Sequence, residues 1–154
     1  MALELGETIP NISLIDENGK DFKLNKFINK KAVVVYFYPK NFTPGCTKEA
    51  CEFRDRYEDF KELNTEVIAI SSDSEESHTR FKAYYKLPFI FLSDKDRNAR
   101  KTFGVKPSLF GLLPGRETFV FDKEGKLLMK YNNLNASEHT IKAFKKIKSL
   151  QNES

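Results

Sequence analysis

YFYPKNFTPGCTKEACEFR, residues Tyr36–Arg54, is the stretch of sequence that decides the fold. It begins inside the run Val33–Tyr38, which is apolar at every position and rich in Val, as is typical of a central strand buried on both faces. A short turn follows Pro39. Thr43 then suits the N-cap position of a helix and Pro44 its first residue. The stretch therefore predicts a buried strand followed at once by a helix that starts near Thr43.

Strands and helical segments alternate along the rest of the chain. Four further strands are predicted over short apolar runs: Glu66–Ser71, Phe89–Leu92, Glu117–Phe121 and Leu127–Tyr131. The turn Asp122–Gly125 joins the last two strands and predicts an antiparallel hairpin. Strands that alternate with helices, then a hairpin and a closing helix, predict an α/β sandwich with a mixed central β-sheet flanked by helices.

The helices are predicted from the spacing of apolar residues. The segment after Cys46 is expected to be helical, because its apolar residues are spaced by four, three, four and three and form one continuous stripe: Cys46, Ala50, Phe53, Tyr57 and Phe60. A second helix is expected to open with a capping box of Ser72 and Glu75, and to run toward Tyr85, stopping before Pro88.

Two further helices are predicted in the second half of the chain. A short one covers Asp96–Phe103, with Gly104 as its C-terminal stop. The last begins near Asn135 or Ser137, and its apolar residues are expected to face inward: Ile141, Phe144 and Ile147.

Length, composition and charge indicate one globular domain over residues 1–154. A hydrophobic fraction of 40% with 14 Phe is ample for a core, and the net charge of +4 is small. The basic residues near the C-terminus are interpreted as a solvated helix face, so we expect no nucleic-acid partner. Those residues are Lys142, Lys145, Lys146 and Lys148.

No segment suggests export or membrane insertion. The N-terminus lacks a basic start followed by an apolar run, and the longest apolar stretch, Ala32–Tyr38, is far too short for a bilayer span. Two cysteines without a secretion signal favour reduced thiols over a disulfide framework. We therefore expect a cytoplasmic protein with no membrane contact. Because no long apolar helix face demands a partner, we also expect a monomer.

Cys46 falls in the first turn of the predicted helix. Free N–H groups and the helix dipole at this end favour the thiolate, which is the nucleophilic form of cysteine. Taken alone, a buried cysteine on a helix stripe is more often a small hydrophobic residue, and Thr43 a simple cap. The combination of a helix-start thiol with Pro44, Gly45 and a second nearby thiol favours a chemical role.

The second thiol, Cys51, lies five residues further along the same predicted helix. Five residues advance ~7.5 Å along the axis and rotate the side chain by ~140°, so the two Cα atoms lie ~8.6 Å apart. This separation exceeds the ~7 Å limit for a disulfide. A bond between Cys46 and Cys51 therefore requires the first turns of the helix to unwind, at a cost of a few kcal/mol.

The stretch PKNFTPGCTKEAC resembles the active-site signature of the peroxiredoxins, specifically of the bacterioferritin-comigratory (PrxQ-type) subfamily. The general signature is Pro, three residues, Thr, two residues and Cys, and it is matched by Pro39, Thr43 and Cys46. Two cysteines separated by four residues are typical of the subfamily, and Cys46 and Cys51 match them.

Two other segments extend the resemblance. GRETFVFD is similar to the strand that carries the family's arginine, here Arg116, and LGETIPNISLIDENGK is similar to the opening hairpin. The likeness therefore runs from about Leu5 to the closing helix.

The resemblance implies a thioredoxin-like fold and a thiol peroxidase that reduces hydrogen peroxide and alkyl hydroperoxides without a cofactor or metal. Cys46 would attack the peroxide and become a sulfenic acid, stabilised by Arg116. Thr43 would orient the peroxide, and Pro39 would shield the pocket from water. Cys51 would then form a disulfide with Cys46, which thioredoxin or a similar dithiol reduces.

Three features depart from the family pattern. Phe42 stands where a polar residue is common, which favours an apolar pocket mouth and organic peroxides. The segment Pro107–Gly115 is more apolar than usual and is interpreted as an altered entrance or a contact surface. Glu117 follows Arg116 where a small hydroxyl residue is typical. These differences leave the predicted chemistry intact.

Three other classes of protein share some of these features. A thioredoxin-like disulfide reductase would place two residues between its cysteines, whereas four stand here. A thiol-based metal-binding protein needs a nearby imidazole, but His78 and His139 have no ligand-like spacing with the cysteines and are expected on the surface. A non-catalytic interaction protein would not need Thr43, Cys46 and Arg116 together.

Overall fold

The structure is a computed structural model that describes residues 2–107 and 114–151. Within these residues, seven strands form one sheet, in the spatial order β2-β1-β5-β4-β3-β6-β7. Strand β3 pairs in parallel with β4 and β4 with β5, whereas the other pairs are antiparallel, so the sheet is mixed as predicted. The strands are β1 Ser13–Asp16, β2 Asp21–Lys23, β3 Ala32–Phe37, β4 Thr65–Ser71, β5 Ile90–Ser93, β6 Glu117–Phe121 and β7 Leu127–Asn132.

Helices cover both faces of the sheet. They are α1 Pro44–Asp55, α2 Tyr57–Glu62, α3 Glu75–Tyr85, α4 Asn98–Phe103 and α5 His139–Gln151, with a 3-10 turn at Leu24–Phe27. Even-numbered residues of β3 pack in one core with α1, α2, α3 and α5, while its odd-numbered residues pack in a second core with α4 and the 3-10 turn. Every residue of β3 is buried, as its continuous apolar run predicts.

The five strands predicted from apolar runs are present, with bounds that differ by one residue at most. The predicted hairpin is also confirmed: β6 and β7 pair antiparallel, and the Gly125 N–H donates to the Asp122 carbonyl at 2.9 Å. Gly125 has φ +84°, a left-handed conformation that glycine adopts without a steric penalty. None of the helices in the described residues is long and apolar enough to cross a membrane.

The helical segment predicted across Cys46 and Phe60 is present, but the structure divides it into two helices. The backbone departs from helical geometry at Arg56, with φ −105° and ψ 4°, although the Arg56 N–H still bonds the Glu52 carbonyl at 3.3 Å. The break lies beside Tyr57, whose hydroxyl donates to the Glu66 carboxylate at 2.7 Å. This tertiary bond is not visible in residue spacing, and all five residues of the predicted stripe remain buried.

Three helix starts also differ from prediction. The N-cap of α3 is Ser74, whose hydroxyl accepts from the Ser77 N–H at 3.2 Å, rather than Ser72. Helix α4 begins at Asn98 and α5 at His139, because the residues before them form side-chain-bonded turns. The Asp96 carboxylate accepts from the Asn98 N–H, and the Asn135 side chain accepts from the Ser137 N–H. Gly104 ends α4 as predicted, with φ +77°.

The predicted inward face of α5 is partly wrong. Ile147 is buried and Phe144 is half-buried, but Ile141 is 37% exposed. Six residues separate Ile141 from Ile147, which places the two side chains about 120° apart around the helix. Ile141 therefore lies at the edge of the buried face.

Candidate functional site

The loop after β3 and the first turn of α1 place Cys46. Thr43 is extended, with φ −84° and ψ 151°, and its carbonyl accepts from the Thr47 N–H at 2.8 Å, so the helix begins where it was predicted. The Thr43 hydroxyl, however, donates to the Lys40 carbonyl at 2.8 Å and does not cap a helix N–H. Thr43 thus occupies the N-cap position without side-chain capping.

The structure brings Cys46 and Arg116 together. The Cys46 side chain is 1% exposed, and the Arg116 Nη2 donates to its Sγ at 3.3 Å. Arg116 directly precedes β6, the strand paired with β3. Gly45 allows this approach, because a Cβ at that position would lie only 3.2 Å from the Arg116 Nη2.

Two further contacts fix the guanidinium of Arg116. Its Nη1 donates to the Glu49 Oε1 at 2.5 Å, and its Nε donates to the Leu134 carbonyl at 2.8 Å. Burial would lower the pKa of Arg116, but the charges of Glu49 and Cys46 raise this pKa above its ordinary value. Arg116 is therefore a fixed cation beside the thiol.

Glu49 belongs to the site, although it was not identified from the sequence. It is completely buried, and its second oxygen, Oε2, has no hydrogen-bond partner among the described residues. Burial raises the pKa of Glu49 to about 8, against the opposing effect of Arg116. A signal was present, because Glu49 lies on the buried face of Cys46, Ala50 and Phe53, where a carboxylate needs a cationic partner.

His139 lies next to this group, and the expectation that it is a surface residue is wrong. Its exposure is 0%; Nδ1 lies 2.7 Å from the Thr118 hydroxyl oxygen and 3.6 Å from the Glu49 Oε2, and Nε2 lies 2.8 Å from the Asn133 carbonyl. The partners come from β6 and from the loop before α5. Because these contacts join segments that are distant in sequence, the position of His139 in the sequence does not predict its burial.

The same expectation is wrong for His78, which is also 0% exposed. The Asn41 side-chain amide lies 3.0 Å from the His78 Nδ1, and the Tyr38 hydroxyl donates to the Asn41 Oδ1 at 2.5 Å. The Asn41 N–H donates to the Asp73 carboxylate at 2.9 Å. These bonds anchor the loop that leads into α1.

The other predicted residues of this loop lie near the start of α1. Pro39 is half-buried at the end of β3. Phe42 is 45% exposed and has φ +65°, and its ring lies 5.1 Å from that of Phe81 and 6.1 Å from that of Tyr84 in α3. Phe42 is thus packed against a neighbouring helix while part of its ring faces solvent.

Cys51 is half-buried and lies on the same helix as Cys46. Both thiols are free, and α1 continues without interruption from Pro44 to Asp55. The intact helix therefore holds the two sulfurs apart, in agreement with the prediction from helix geometry.

The rival metal-binding hypothesis and the interpretation of the segment Pro107–Gly115 gain no support from the described residues. In residues 2–107 and 114–151, no cluster of three or more His, Cys, Asp or Glu side chains is placed to hold a metal ion. Within the segment Pro107–Gly115, which was interpreted as an entrance or contact surface, residues 108–113 lie outside the described part of the chain. Glu117 is buried, and its carboxylate accepts from the Asn132 side chain at 3.1 Å.

The sandwich fold and the buried cysteine–arginine pair define the class of thioredoxin-fold thiol enzymes. The model of the AhpC/TSA family matches residues 5–130. Over 147 residues the chain is 50% identical to "Peroxiredoxin Q, chloroplastic" of Sedum lineare, which covers 95% of this chain and 78% of that protein. The chain therefore belongs to the AhpC/TSA family and, within it, to the peroxiredoxin Q group.

Solved structures agree with this assignment. A crystallised cysteine-to-serine mutant of Xylella fastidiosa PrxQ superposes with a TM-score of 0.89 and 26% identity, covering 98% of this chain and 99% of that chain. A Xanthomonas campestris bacterioferritin comigratory protein, described for its alkyl peroxide reduction activity, gives a TM-score of 0.84 and 26% identity, covering 96% and 97%.

These comparisons confirm the resemblance and the thioredoxin-like fold. They also confirm the predicted class of enzyme: the protein is a thiol peroxidase, an oxidoreductase that reduces peroxides at a cysteine.

Proposed function

We propose that Cys46 is the peroxidatic nucleophile and that Arg116 is its electrostatic partner. The observation that carries this proposal is the 3.3 Å contact between the Arg116 Nη2 and the Cys46 Sγ in the first turn of α1. A fixed cation and the amino end of a helix both favour the thiolate over the thiol. Because the site is buried, these charges act in a medium of low polarity, where they are strongest.

The reaction follows from this geometry. The Cys46 thiolate attacks the terminal oxygen of the hydroperoxide, an S–O bond forms, and the O–O bond breaks. The electron pair of that bond leaves with the second oxygen, which takes up a proton to give water or an alcohol. Arg116 stabilises the charge that develops on the leaving oxygen, and Cys46 remains as a sulfenic acid.

Thr43 and Pro39 are proposed to shape the peroxide pocket. The Thr43 hydroxyl donates its hydrogen bond to the Lys40 carbonyl, so its oxygen is still able to accept a hydrogen bond from the peroxide. Pro39 has no N–H and is half-buried at the end of β3, which suits a role in excluding water from the sulfur.

We assign the resolving role to Cys51. After the first turns of α1 unwind, its thiolate attacks the Cys46 sulfenic sulfur, an intramolecular S–S bond forms, and the S–O bond breaks to release hydroxide, which takes up a proton from solvent to give water. Thioredoxin or a similar dithiol then reduces this disulfide by exchange. Support comes from the half-buried position of Cys51 on the same helix and from the five-residue spacing.

Hydrogen peroxide and alkyl hydroperoxides are the proposed substrates. The related Xanthomonas campestris protein is described for alkyl peroxide reduction. Phe42, with 45% of its surface exposed three residues before Gly45, supports an apolar mouth that favours organic peroxides.

The proposed setting is a single-domain monomer in the cytoplasm. The described strands form one sheet with both faces covered, which supports a single domain over residues 1–154. Since α1 carries both thiols, the disulfide needs no second subunit. The two free thiols suit a reducing compartment, whereas the relatives are named as chloroplastic proteins.

Replacing the two cysteines one at a time tests these roles. Cys46→Ser should abolish peroxide reduction, because a serine hydroxyl cannot replace the thiolate that attacks the peroxide. Cys51→Ser should allow one oxidation of Cys46 and then stop thioredoxin-dependent turnover. Thr47→Ser, on the same helix, is the matched control and should retain full turnover in the coupled assay. Turnover by Cys46→Ser would show that the nucleophile is misassigned.

Peptide mapping of the peroxide-treated wild-type protein tests the disulfide itself. We expect Cys46 and Cys51 to be linked within one molecule. A covalent dimer band on a non-reducing gel, in place of this link, would contradict the resolving role of Cys51.

A further inference from the structure

We propose that His139 is a positioning residue for the peroxidase reaction. It anchors both the strand that carries Arg116 and the loop that binds Arg116, and so it holds the guanidinium beside the Cys46 sulfur. The proposal rests on the roles assigned above to Cys46 and Arg116. It concerns a side chain that does not touch the sulfur and that acts through Arg116.

The first contact runs from the imidazole to the loop before α5. The Asn133 carbonyl can only accept a hydrogen bond, so the His139 Nε2, at 2.8 Å, carries the proton and donates it. The Asn133 N–H donates in turn to the Arg116 carbonyl at 3.2 Å. The carbonyl of the next residue, Leu134, accepts from the Arg116 Nε at 2.8 Å. His139 therefore anchors the segment that holds both the backbone and the guanidinium of Arg116.

The second contact runs to the strand that carries the arginine. With the proton on Nε2, the Nδ1 of a neutral His139 accepts from the Thr118 hydroxyl at 2.7 Å. Thr118 is fully buried in β6, two residues after Arg116. The ring is thus clamped between β6 and the loop that binds the guanidinium.

Neutrality of the ring leaves Arg116 as the cationic partner of Glu49. The His139 Nδ1 lies 3.6 Å from the Glu49 Oε2, while the Glu49 Oε1 accepts from Arg116. An imidazolium at this place would compete with Arg116 for Glu49. Burial lowers the pKa of His139 to about 4, and the charge of Arg116 acts in the same direction, so the ring stays neutral near pH 7.

The decisive experiment needs no peroxide turnover. In a Cys51→Ser background Cys46 is the remaining cysteine, and its alkylation by iodoacetamide is followed as a function of pH. In His139→Phe, the midpoint of this pH profile should rise, because a displaced Arg116 no longer favours the thiolate. The second-order rate of Cys46 with hydrogen peroxide should fall about tenfold or more, as expected for a misplaced catalytic group.

Two variants separate positioning from folding. His139→Gln can still donate to the Asn133 carbonyl, so it should recover most of the wild-type midpoint and rate. Ile147→Ala, a core truncation on the same helix, lowers the unfolding temperature but should leave both readouts unchanged. If His139→Phe does not fold, Thr118→Val removes the hydroxyl that bonds Nδ1 and should raise the midpoint in the same direction.

A double-mutant cycle tests whether His139 acts through Arg116. Adding His139→Phe to Arg116→Met should not move the midpoint beyond that of Arg116→Met alone. The proposal is overturned by an unmoved midpoint in His139→Phe and in Thr118→Val, by an equal shift in Ile147→Ala, or by additive shifts in the double variant. Failure of wild-type Cys46 to react with peroxide would instead contradict the proposed function. The alkylation profile would still test whether His139 positions Arg116.

Discussion

Gly115 occupies a place in which no side chain fits. A Cβ built there would lie 2.0 Å from the Lys106 carbonyl oxygen, a backbone atom that cannot move aside cheaply. The Gly115 carbonyl also accepts from the buried Arg100 Nη1 at 2.8 Å, and the next residue is Arg116. The absence of a side chain at Gly115 therefore bears on both packing and the position of the arginine.

We expect Gly115→Ala to lower the free energy of unfolding by about 2–3 kcal/mol, as overpacking of a tight site does. The reaction of Cys46 with peroxide should slow as well, because Arg116 is carried with the displaced backbone. Urea denaturation and a single-turnover assay measure the two effects. Gly19→Ala is the control: no atom lies within 4 Å of its Cβ, and only its φ of +79° opposes the change. An equal loss in both variants would contradict the steric argument.

At the level of single residues, the sequence identified the groups that carry a motif and missed those that act through contacts. Cys46 and Arg116 were proposed as partners, and the structure brings them together. Glu49 and His139 have no motif spacing; their importance arises because β6, α1 and α5 meet at one point. Of the two, Glu49 was the more accessible to prediction, because a carboxylate on an apolar helix face demands a partner.

The helix α1 and the loop before it are tethered to α3 through Phe42. The ring of Phe42 packs edge-on against Phe81 and close to Tyr84, while its backbone is held at φ +65°, a conformation that is unfavourable for a bulky residue. If the first turns of α1 unwind as proposed and the loop before them moves as well, this aromatic contact is lost.

Phe42→Ala should therefore speed formation of the Cys46–Cys51 disulfide by about two- to tenfold, since an aromatic contact contributes about 0.5–1.5 kcal/mol and 1.4 kcal/mol is tenfold in rate. Overoxidised Cys46 should decrease in parallel, because the sulfenic acid is exposed for less time. The chain contains no Trp, so quenched-flow thiol trapping with mass spectrometry is the suitable measurement. Leu5→Ala, at an exposed position near the N-terminus and remote in sequence from Phe42, should change neither quantity. A slower disulfide step in Phe42→Ala would contradict the proposal that the Phe42 contact restrains α1.

Element types were predictable, and several element ends were not. The apolar run of β3 and the turn Asp122–Gly125 specify structure through neighbouring residues, so both were predicted correctly. The break at Arg56 lies beside Tyr57, whose hydroxyl bonds Glu66 in the strand β4. The start of α5 depends on a turn closed by the Asn135 side chain. Such tertiary and side-chain bonds are not encoded in hydrophobic periodicity.

The molecule as a whole buries two histidines that would be exposed in the unfolded chain. Burial lowers the pKa of His78, and it lowers the pKa of His139 from 6.5 to about 4. Below pH 6.5 these two histidines therefore bind more protons in the unfolded state than in the folded state, and their contribution to stability falls as the pH is lowered. The contribution of His139 is complete above pH 6.5 and is lost progressively toward pH 4.

We expect the free energy of unfolding of the wild-type protein to fall more steeply than that of His139→Gln between pH 6.5 and pH 4. The difference should approach about 3 kcal/mol, the value of a 2.5-unit shift in one pKa. Glu49, whose raised pKa acts in the opposite direction, is present in both proteins. Chemical denaturation at several pH values gives the two curves, and parallel curves would refute the assignment.

Helix α1 holds both sulfurs within twelve residues of one polypeptide. If Cys51 resolves the sulfenic acid as proposed, ring closure is a first-order event within one molecule once peroxide has oxidised Cys46. Dilution would then leave the closure rate unchanged, and attachment to a surface or fusion to another protein would not interrupt the cycle.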